Sequence, residues 1–401
     1  MVVTRASYIR FMEKKIKGIT PFFKTLLRVL ITVKFLLVAS LVNAATLAPD
    51  TVDAVYHSYD GGGMEINGPF ILVRKSIGTD FSVNGHYYVD SVSAASIDVL
   101  ATASEYEEER TEYSVGLDYL HDKTIVSTGF TNSTENDFEA NSAFLSVSQS
   151  FFGDLSTLSM AYAIGKDDVG KRESDFSEDV DRNIYKIGLS QVLTKNALMG
   201  LNLEMITDEG YLNNPYRTYR FIDPTNLEKG YSTATEEYPD TRTSYAIAMR
   251  ALYYLPYRAS LKGEYRFFND SWGITAHTYE LAYVHPITNR WTLEGRYRYY
   301  SQTQADFYKD LFPFQNAETY MGRDKELSTF SDYTIGGGIT YEFGQGVVPH
   351  IDKMKFTALV DYMKFTYDNF RDVTKPSVNP GDEPLYEFDA LVTRLAITFE
   401  Y

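Results

Sequence analysis

Residues 290–300 read Arg290-Trp291-Thr292-Leu293-Glu294-Gly295-Arg296-Tyr297-Arg298-Tyr299-Tyr300. Within this stretch the odd positions hold apolar or aromatic residues and one glycine, and the even positions up to residue 298 hold charged or hydroxyl-bearing residues. Successive side chains of a β-strand point to opposite faces, so a period of two is typical of a strand and not of a helix. The stretch therefore predicts a strand with one aromatic, apolar face and one charged face.

The same alternation recurs along the chain in runs of roughly 10–14 residues. Strands of globular proteins average about 5–6 residues, whereas strands tilted across a bilayer need about 9–11. Aromatic residues cluster toward the ends of the apolar faces, as the girdles of a membrane barrel require. We predict sixteen strands, at residues 52–59, 64–77, 80–91, 107–120, 123–132, 139–151, 155–167, 182–193, 196–207, 241–255, 257–269, 273–285, 290–302, 328–343, 353–368 and 387–401.

The predicted connections fall into two alternating sets. One set is short, such as Gly78-Thr79 and His121-Asp122, and the other holds long segments such as 168–181, 208–240 and 303–327. Outer-membrane barrels have an even number of antiparallel strands, short periplasmic turns and long extracellular loops. The predicted fold class is therefore all-β, a transmembrane antiparallel up-and-down β-barrel of about 16 strands, a size that can leave an aqueous lumen.

The composition excludes several other classes of protein. The 401 residues include 33 Tyr and 25 Phe but no Cys, which rules out disulfide scaffolds, Cys-ligated zinc, iron–sulfur clusters and haem attached through C-x-x-C-H. A mean hydropathy of −0.27 is too low for a bundle of membrane helices. The net charge of −16 would repel phosphate backbones, which excludes nucleic-acid binding.

Residues 1–44 differ in composition from the rest of the chain. They hold eight Lys or Arg and one acid, and the apolar run 35–42 is followed by Asn43, Ala44 and Ala45. Basic, then apolar, then small residues indicate a secretory signal peptide. A membrane anchor is the alternative, but Lys34 interrupts the apolar run. We predict a cleaved signal peptide at 1–44, a β-barrel at 45–401 and a location in the outer membrane of a Gram-negative bacterium.

The chain ends in an alternating strand whose last residue is aromatic. Leu395, Ile397, Phe399 and Tyr401 occupy one face of this strand. The arrangement resembles the C-terminal signal by which outer-membrane barrels are recognised for insertion. We therefore assign these four residues as a barrel-insertion signal, and we expect outer-membrane lipid and the barrel assembly machinery as partners.

Charged residues fall on the face opposite the aromatic one in several predicted strands, and by alternation they face the inside of the barrel. Two interpretations fit. The charges form either a pore wall whose transverse field filters solutes, or cross-strand ion pairs that plug the lumen and hold the strands in register. The predicted lumen-lining residues are Arg250, Arg258, Lys262, Glu264, Arg266, Glu280, Glu294, Arg296 and Arg298. Alternation also places Arg74, His86, Glu112, Lys186, Glu204, Asp361 and Arg394 on the inward face.

Two of the long connections carry features of their own. Segment 92–106 is too apolar for a solvated loop, so it either folds into the lumen as a constriction or packs on other loops. The loop 208–240 contains acids and amides that would offer oxygen ligands to calcium. Its spacing matches no EF-hand, however, and turn chemistry explains Asn213-Asn214-Pro215. We predict no metal site and no cofactor.

The sequence contains no strong signature of catalysis. Its six His form no H-E-x-x-H motif, and neither a G-x-S-x-G elbow nor a phosphate-binding P-loop is present. One arrangement remains open, which is His86 or His277 beside a loop serine, as in barrel phospholipases and proteases. We predict that the chain is not an enzyme.

Six segments stand out as distinctive: His86–Ser91, Glu109–Ser114, 208–217, Tyr253–Arg258, Trp291–Tyr300 and Arg323–Ser328. Together they resemble a family of Gram-negative outer-membrane β-barrels catalogued only as a domain of unknown function, and the resemblance extends over nearly the whole mature chain. It implies location and architecture, without a settled activity or catalytic residues. Members are often encoded near a small lipoprotein, a thioredoxin-like protein and a flavin transferase, which implies a role beside extracytoplasmic redox machinery.

These observations lead to two functional hypotheses. The first is a passive channel or translocation pore with a charged lumen. The alternative is a structural or docking barrel that sheathes a periplasmic or lipoprotein partner, such as a component of an extracytoplasmic redox system. Conductance and an opening through the lumen would favour the first hypothesis, and a stable copurifying partner would favour the second.

Overall fold

Residues 45–94, 106–172, 174–344 and 349–401 are described by the computed structural model. Within these ranges the chain forms eighteen β-strands and one short 3-10 turn. The predicted signal peptide at 1–44 lies outside the described residues, as does most of the segment 92–106, predicted either to constrict the lumen or to pack on other loops. No helix in the described part of the chain is long and apolar enough to span a membrane.

The strands follow the alternating runs of the sequence closely. Those that form the barrel are 11 to 19 residues long. The elements are β1 (Thr51–Gly61), β2 (Met64–Ile77), β3 (Phe81–Ala94), β4 (Tyr106–His121), β5 (Thr124–Thr134), β6 (Phe138–Phe151), β7 (Ser156–Gly170), β8 (Ser177–Thr194), β9 (Ala197–Gly210), β10 (Thr218–Ile222), β11 (Tyr231–Thr235), β12 (Thr241–Tyr254), β13 (Ser260–Asp270), β14 (Thr275–Pro286), β15 (Trp291–Gln302), the 3-10 turn (Lys325–Leu327), β16 (Phe330–Glu342), β17 (Lys353–Arg371) and β18 (Leu385–Glu400).

Sixteen of these strands close into one barrel. Neighbouring strands pair antiparallel, and the ring closes where β1 pairs with β18, with His57 opposite Arg394. The sixteen-stranded, antiparallel up-and-down barrel predicted from the sequence is confirmed. Closure leaves none of these strands as an open edge, so their backbone groups are satisfied within the sheet.

The order of strands around the barrel is interrupted once. β9 pairs with β12, because part of the segment 208–240, predicted as a loop, forms the hairpin β10–β11. This hairpin is a separate two-stranded sheet in which Thr218 lies opposite Thr235. Both of its strands are only five residues long, too short for alternation to reveal them in the sequence.

The two rims of the barrel differ in their connections. One rim, the turn end, carries short turns and the C-terminus; the other, the loop end, carries the long connections β9–β12, β15–β16 and β17–β18. One residue at the turn end, Arg258, lies in a turn and not in the strand that the sequence predicted. Arg258 has a φ of 70° and lies in a turn closed by the Leu255 N–H donating to Ala259, so β13 begins at Ser260 and not at residue 257.

Apolar side chains cover the outward face of the barrel. Along β15, Leu293, Tyr297 and Tyr299 are 41%, 48% and 37% exposed, while the even-numbered residues between them face the lumen. A contiguous exposed apolar surface of this extent is unusual for a soluble monomer and matches the outward band of a membrane barrel.

Three segments at the loop end pack together, and we call them the loop cap. One apolar cluster joins Tyr219 of β10 to Phe312 and Met321. A second cluster places Tyr308 against Phe370 at the end of β17. Burial of these side chains supplies the hydrophobic stabilisation that ordered loops need. The loop cap comprises residues 211–240, 303–329 and 372–384.

A buried arginine links the three segments of the loop cap. Arg220 on β10 donates from Nη1 to Glu383 Oε1 at 2.7 Å and from Nε to the Asp310 carbonyl at 2.8 Å, and it pairs with the Asp310 carboxylate as well. The side chains of Arg220 and Glu383 are only 2% and 5% exposed. Removing one member of such a buried pair typically costs about 3–5 kcal/mol, so this contact fixes the hairpin to both other segments.

Candidate functional site: the lumen and its loop-end chamber

A cavity of about 1710 Å³ occupies the loop end of the lumen. Its lining comes from strands all around the barrel, including β1, β4, β8, β12, β15 and β18, and from the loop cap. We call this cavity the loop-end chamber. Because its lining residues surround the barrel axis, the chamber is the loop-end part of the lumen and not a groove on the surface.

The two sides of the loop-end chamber differ in chemistry. The side formed by β4 to β9 presents carboxylates, among them Glu108, Asp167 and Asp208. The side formed by β13 to β18 presents buried and half-buried aromatic rings, and Phe365 stacks on Phe388 with their ring centroids 4.5 Å apart. A solute in the chamber would therefore meet charged groups on one side and ring faces on the other. The aromatic lining residues of the second side are Phe268, Tyr300, Phe330, Phe365, Tyr367 and Phe388.

Five of the nine predicted lumen-lining residues form ion pairs along the wall. Arg250 pairs with Glu264 on the neighbouring strand. The other three pairs join a predicted arginine to an acid outside these nine: Arg266 to Glu204 at 3.3 Å, Arg298 to Asp332 at 2.7 Å, and Arg296 to Asp361. Inward positions were predicted for Glu204 and Asp361 but not for Asp332.

The other four predicted residues are placed differently. Lys262, Glu280 and Glu294 lie on the lumen face, and within the described ranges none of them has an ion-pair partner within 4.0 Å. Arg258 lies in the turn before β13, where its Nη1 donates to Asn289 Oδ1 at 3.1 Å. The structure thus brings eight of the nine onto the lumen-facing side of β12, β13, β14 and β15, and places Arg258 at the rim.

A glycine allows one of these ion pairs to span two strands. Arg296 on β15 and Asp361 on β17 both lie opposite Gly336 on β16. The Arg296 Nε donates to Asp361 Oδ1 at 2.7 Å over this glycine, and Arg394 Nη2 donates to Asp361 Oδ2 at 2.9 Å. A Cβ on Gly336 would lie 1.8 Å from Asp361 Oδ1, so the bridge requires a residue without a side chain there.

The same construction recurs elsewhere on the wall. Arg266 on β13 reaches Glu204 on β9 across β12, where the lumen-facing residues are Ala246 and Ala248. His57 on β1 reaches Asp90 on β3 at 2.6 Å across β2. Small residues on the middle strand therefore let charged side chains lie flat along the wall.

Several wall residues were not predicted from the sequence. Arg242 pairs with Asp270 at 2.6 Å and lies over the Trp272 ring at 4.5 Å. Asp332 is 5% exposed and is held by Arg298. The alternation on β16 places Asp332 on the same face as Thr334 and Gly336, but few charges mark that strand in the sequence.

A buried carboxyl lies beneath the hairpin of the loop cap. Glu236 is 1% exposed, and its Oε1 accepts the Arg323 N–H at 2.6 Å while Tyr238 donates its hydroxyl to Oε2. Burial, and then the nearby Asp324 carboxylate, raise the pKa of Glu236 to about 7, against the opposing effects of these hydrogen bonds and Arg217. The loop cap therefore holds a carboxyl that titrates near neutral pH.

The oxygen-rich loop that suggested calcium uses its amides in turns. Asn213 donates to the Glu236 carbonyl at 2.8 Å and accepts the Tyr238 N–H at 3.0 Å, and Asn214 accepts the Tyr216 N–H at 2.9 Å. Within the described ranges, one group of three carboxylates has oxygen atoms within 4.8 Å of one another. That group is Glu108, Glu135 and Asp137, outside the loop predicted as a calcium candidate.

We expect Gly336→Ala to destabilise the barrel by about 1–3 kcal/mol, because the new methyl group overpacks the wall and forces Arg296 and Asp361 apart. Urea unfolding in lipid vesicles, followed by tryptophan fluorescence, measures this loss. Gly337→Ala is the matched control, since its Cβ would point to the other face with its nearest contact at 3.5 Å. Equal unfolding midpoints for the two variants would contradict the role assigned to Gly336.

We expect the loop cap to lose stability as pH rises from about 5 to 8. The folded-state pKa of Glu236 is raised from 4.5 to about 7, so the folded cap binds the proton more tightly than the unfolded cap. The stabilisation present at low pH is then lost as pH approaches 7, and cap opening should increase by about 10–100-fold.

Limited proteolysis of the cap segments measures this opening. Glu236→Gln cannot ionise at this position, so the ratio of cleavage rates, wild type to Glu236→Gln, removes the pH dependence of the protease itself. The ratio should rise across the range; a constant ratio would show that Glu236 does not control the cap.

Several solved structures of outer-membrane proteins are distantly similar to this chain. A chain described as a bacterial polysaccharide outer membrane secretin is 8% identical, with a TM-score of 0.47, and the match covers 88% of this chain and 100% of that one. The Pseudomonas aeruginosa protein OccK2 (OpdF), solved in complex with glucuronate, is 10% identical with a TM-score of 0.42, covering 88% and 98%. A Pseudomonas aeruginosa FadL homologue is 11% identical with a TM-score of 0.38, covering 87% and 89%. Similarity at this level implies no shared activity.

Family membership comes from the sequence. No curated protein matches the chain. A family model described as "Protein of unknown function (DUF3570)" matches residues 100–366, which is more than half of the chain and includes β4 to β16. The resemblance to an uncharacterised family of outer-membrane barrels is thereby confirmed: the chain belongs to the DUF3570 family of proteins of unknown function.

Proposed function

We propose that this protein is a passive channel in the outer membrane of a Gram-negative bacterium, with a lumen whose wall charges select solutes. The observation that carries this proposal is the direction of the ion pairs. Within the described ranges, each ion pair between two barrel strands joins neighbours or strands separated by one other strand. Examples are Lys186–Glu204 on β8 and β9, and Arg296–Asp361 on β15 and β17.

Pairs of this kind lie along the wall and not across the lumen. A plug made of ionic bridges would join strands on opposite sides of the barrel, several positions apart in the ring. Sixteen strands give a barrel wide enough for an aqueous channel when the interior is not filled by side chains. The wall-lying pairs therefore favour a pore wall over the alternative of a lumen plugged by ion pairs.

Unpaired charges supply the selectivity in this proposal. Lys262 on β13, Glu280 on β14 and Glu294 on β15 face the lumen without an ion-pair partner among the described residues. A charge that is not neutralised by a partner projects its field into the solvent of the channel. These three residues, rather than the paired arginines, should set the preference between anions and cations.

The proposed location is supported by the outward face. Only helices and closed barrels satisfy all backbone groups in a bilayer, and this ring is closed by β1 and β18. Its outward face exposes Leu281, Tyr297 and Leu391 at 51%, 48% and 47%. The signal peptide at 1–44 and the insertion signal ending at Tyr401 remain predictions consistent with this location.

We expect the purified protein to give stepwise conductance in planar bilayers. In a KCl gradient, Lys262→Gln should shift the reversal potential toward cation selectivity and Glu294→Gln toward anion selectivity, by at least several millivolts, because each removes an unpaired lumen charge of one sign. Lys195→Gln, which removes an exposed charge from the turn between β8 and β9, is the control and should behave as wild type.

The conductance measurement also distinguishes the channel hypothesis from the docking-barrel hypothesis. Folded barrels that give no conductance steps, or charge variants that leave the reversal potential unchanged, would contradict the channel. Absence of conductance together with a stable copurifying periplasmic or lipoprotein partner would favour the docking barrel instead.

A further inference from the structure

Three polar side chains on the lumen wall form a continuous hydrogen-bonded series. Ser114 Oγ lies 2.6 Å from His86 Nδ1, and His86 Nε2 lies 2.9 Å from Glu112 Oε1. A hydroxyl within hydrogen-bond reach of an imidazole that is itself oriented by a carboxylate is the geometry of an activated nucleophile. Such triads arise on unrelated folds and are recognised by geometry and roles, not by sequence order.

The sheet places these three groups together. His86 on β3 is the register partner of Ser114 on β4, and Glu112 lies two residues before Ser114 on the same face. The side chains of His86 and Glu112 are 22% and 20% exposed, so they are accessible from the lumen. Rigid strands hold catalytic groups more accurately than loops do.

A fourth residue holds the carboxylate in place. Arg110 Nη2 donates to Glu112 Oε2 at 2.7 Å, which leaves Oε1 to accept from the imidazole. With Glu112 accepting the Nε2 proton, His86 carries its free lone pair on Nδ1, toward Ser114. The tautomer required of a general base is therefore the one that this contact favours.

An amide and an apolar ring lie on the same lumen face two residues further along the strands, at the level of Gly116. Asn84 faces the lumen two residues before His86, and its side-chain amide lies against Gly116, where a Cβ would come within 2.7 Å of Oδ1 and 3.1 Å of Nδ2. Within the described ranges this amide makes no hydrogen bond, so its N–H groups are free to bind an oxyanion. The Phe144 ring, 39% exposed, lies over Gly129, the register partner of Gly116.

We propose that Ser114, His86 and Glu112 form an esterase site in the lumen, with Asn84 as the oxyanion donor. The substrate class is a carboxylic ester small enough to enter the barrel, with a short apolar acyl group that packs on Phe144. This activity is separate from conduction and does not depend on it.

The reaction proceeds through an acyl-serine intermediate. Ser114 Oγ bonds to the ester carbonyl carbon as its proton passes to His86 Nδ1, and the Asn84 amide donates to the oxyanion. The ester C–O bond then breaks, and the leaving alcohol takes the proton from His86. Water then gives a proton to His86 as its oxygen bonds to the acyl carbon, the bond between that carbon and Ser114 Oγ breaks, and His86 returns the proton to Oγ. Ester and water thus give carboxylic acid and alcohol.

Two measurements on the refolded or detergent-purified full-length barrel test this proposal. A fluorophosphonate probe should label Ser114, located by mass spectrometry of the labelled peptide, and p-nitrophenyl butyrate should be hydrolysed with saturation. Ser114→Ala and His86→Gln should reduce hydrolysis to the background of the buffer. Glu112→Gln should lower the rate at saturating ester more than it changes the Michaelis constant, because Glu112 positions His86 without touching the substrate.

Ser146→Ala is the matched control, because Ser146 is a half-buried lumen serine on β6 whose register partners are Ser127 and Ala161. It should hydrolyse and label as wild type does. Heat-modifiable migration in gels shows that each variant is folded. Absence of the probe from wild-type Ser114, or hydrolysis by folded Ser114→Ala at the wild-type rate, would overturn the proposal. Labelling is measured on the wild-type protein, so it tests the proposal even where a variant fails to fold.

Discussion

Closure of the strand ring between β1 and β18 makes every other feature of this molecule possible. Eleven residue pairs, from Thr51 opposite Glu400 to Gly61 opposite Ala390, complete the ladder. Without β1 the ring would have fifteen strands and two open edges, and unpaired backbone groups cannot be left facing a bilayer. Closure also creates an inside, so the alternation of each strand separates an apolar outward face from a charged lumen.

The lumen is shaped by the small residues between the charges. A charged side chain can lie flat along the wall only where the middle strand offers no obstacle, as at Gly336 under the Arg296–Asp361 pair and at Ala246 and Ala248 under Arg266–Glu204. This arrangement neutralises most wall charges without crossing the barrel. Among the described residues it leaves a few lumen charges without an ion-pair partner, and no ion pair of barrel strands there joins opposite sides of the ring.

Much of the barrel follows from the sequence because a single rule, alternation in long runs, governs it. All sixteen barrel strands were predicted. The hairpin β10–β11 was not, because five-residue strands are too short for a period to be recognised. Arg258 was misplaced because the chain turns after Pro256 before β13 begins.

Interactions between distant residues could not be predicted. Alternation indicates on which side of the sheet a side chain lies, but it does not indicate which residue that side chain contacts. Nothing near Arg220 in the sequence indicates that it becomes buried against Asp310 and Glu383, 90 and 163 residues away. Likewise, inward positions for His86 and Glu112 followed from alternation, but the pairing of His86 with Ser114 depends on the register of β3 and β4.

The proposed channel requires an open aqueous lumen lined by the even-numbered residues of β15. The chain has no cysteine, so single cysteine substitutions at each position from 291 to 299 report accessibility without interference. In lipid vesicles, a charged, membrane-impermeant methanethiosulfonate should modify positions 292, 294, 296 and 298 and spare the odd positions between them. Protection of the even positions as well, or modification without alternation, would contradict an open lumen lined by this face of β15.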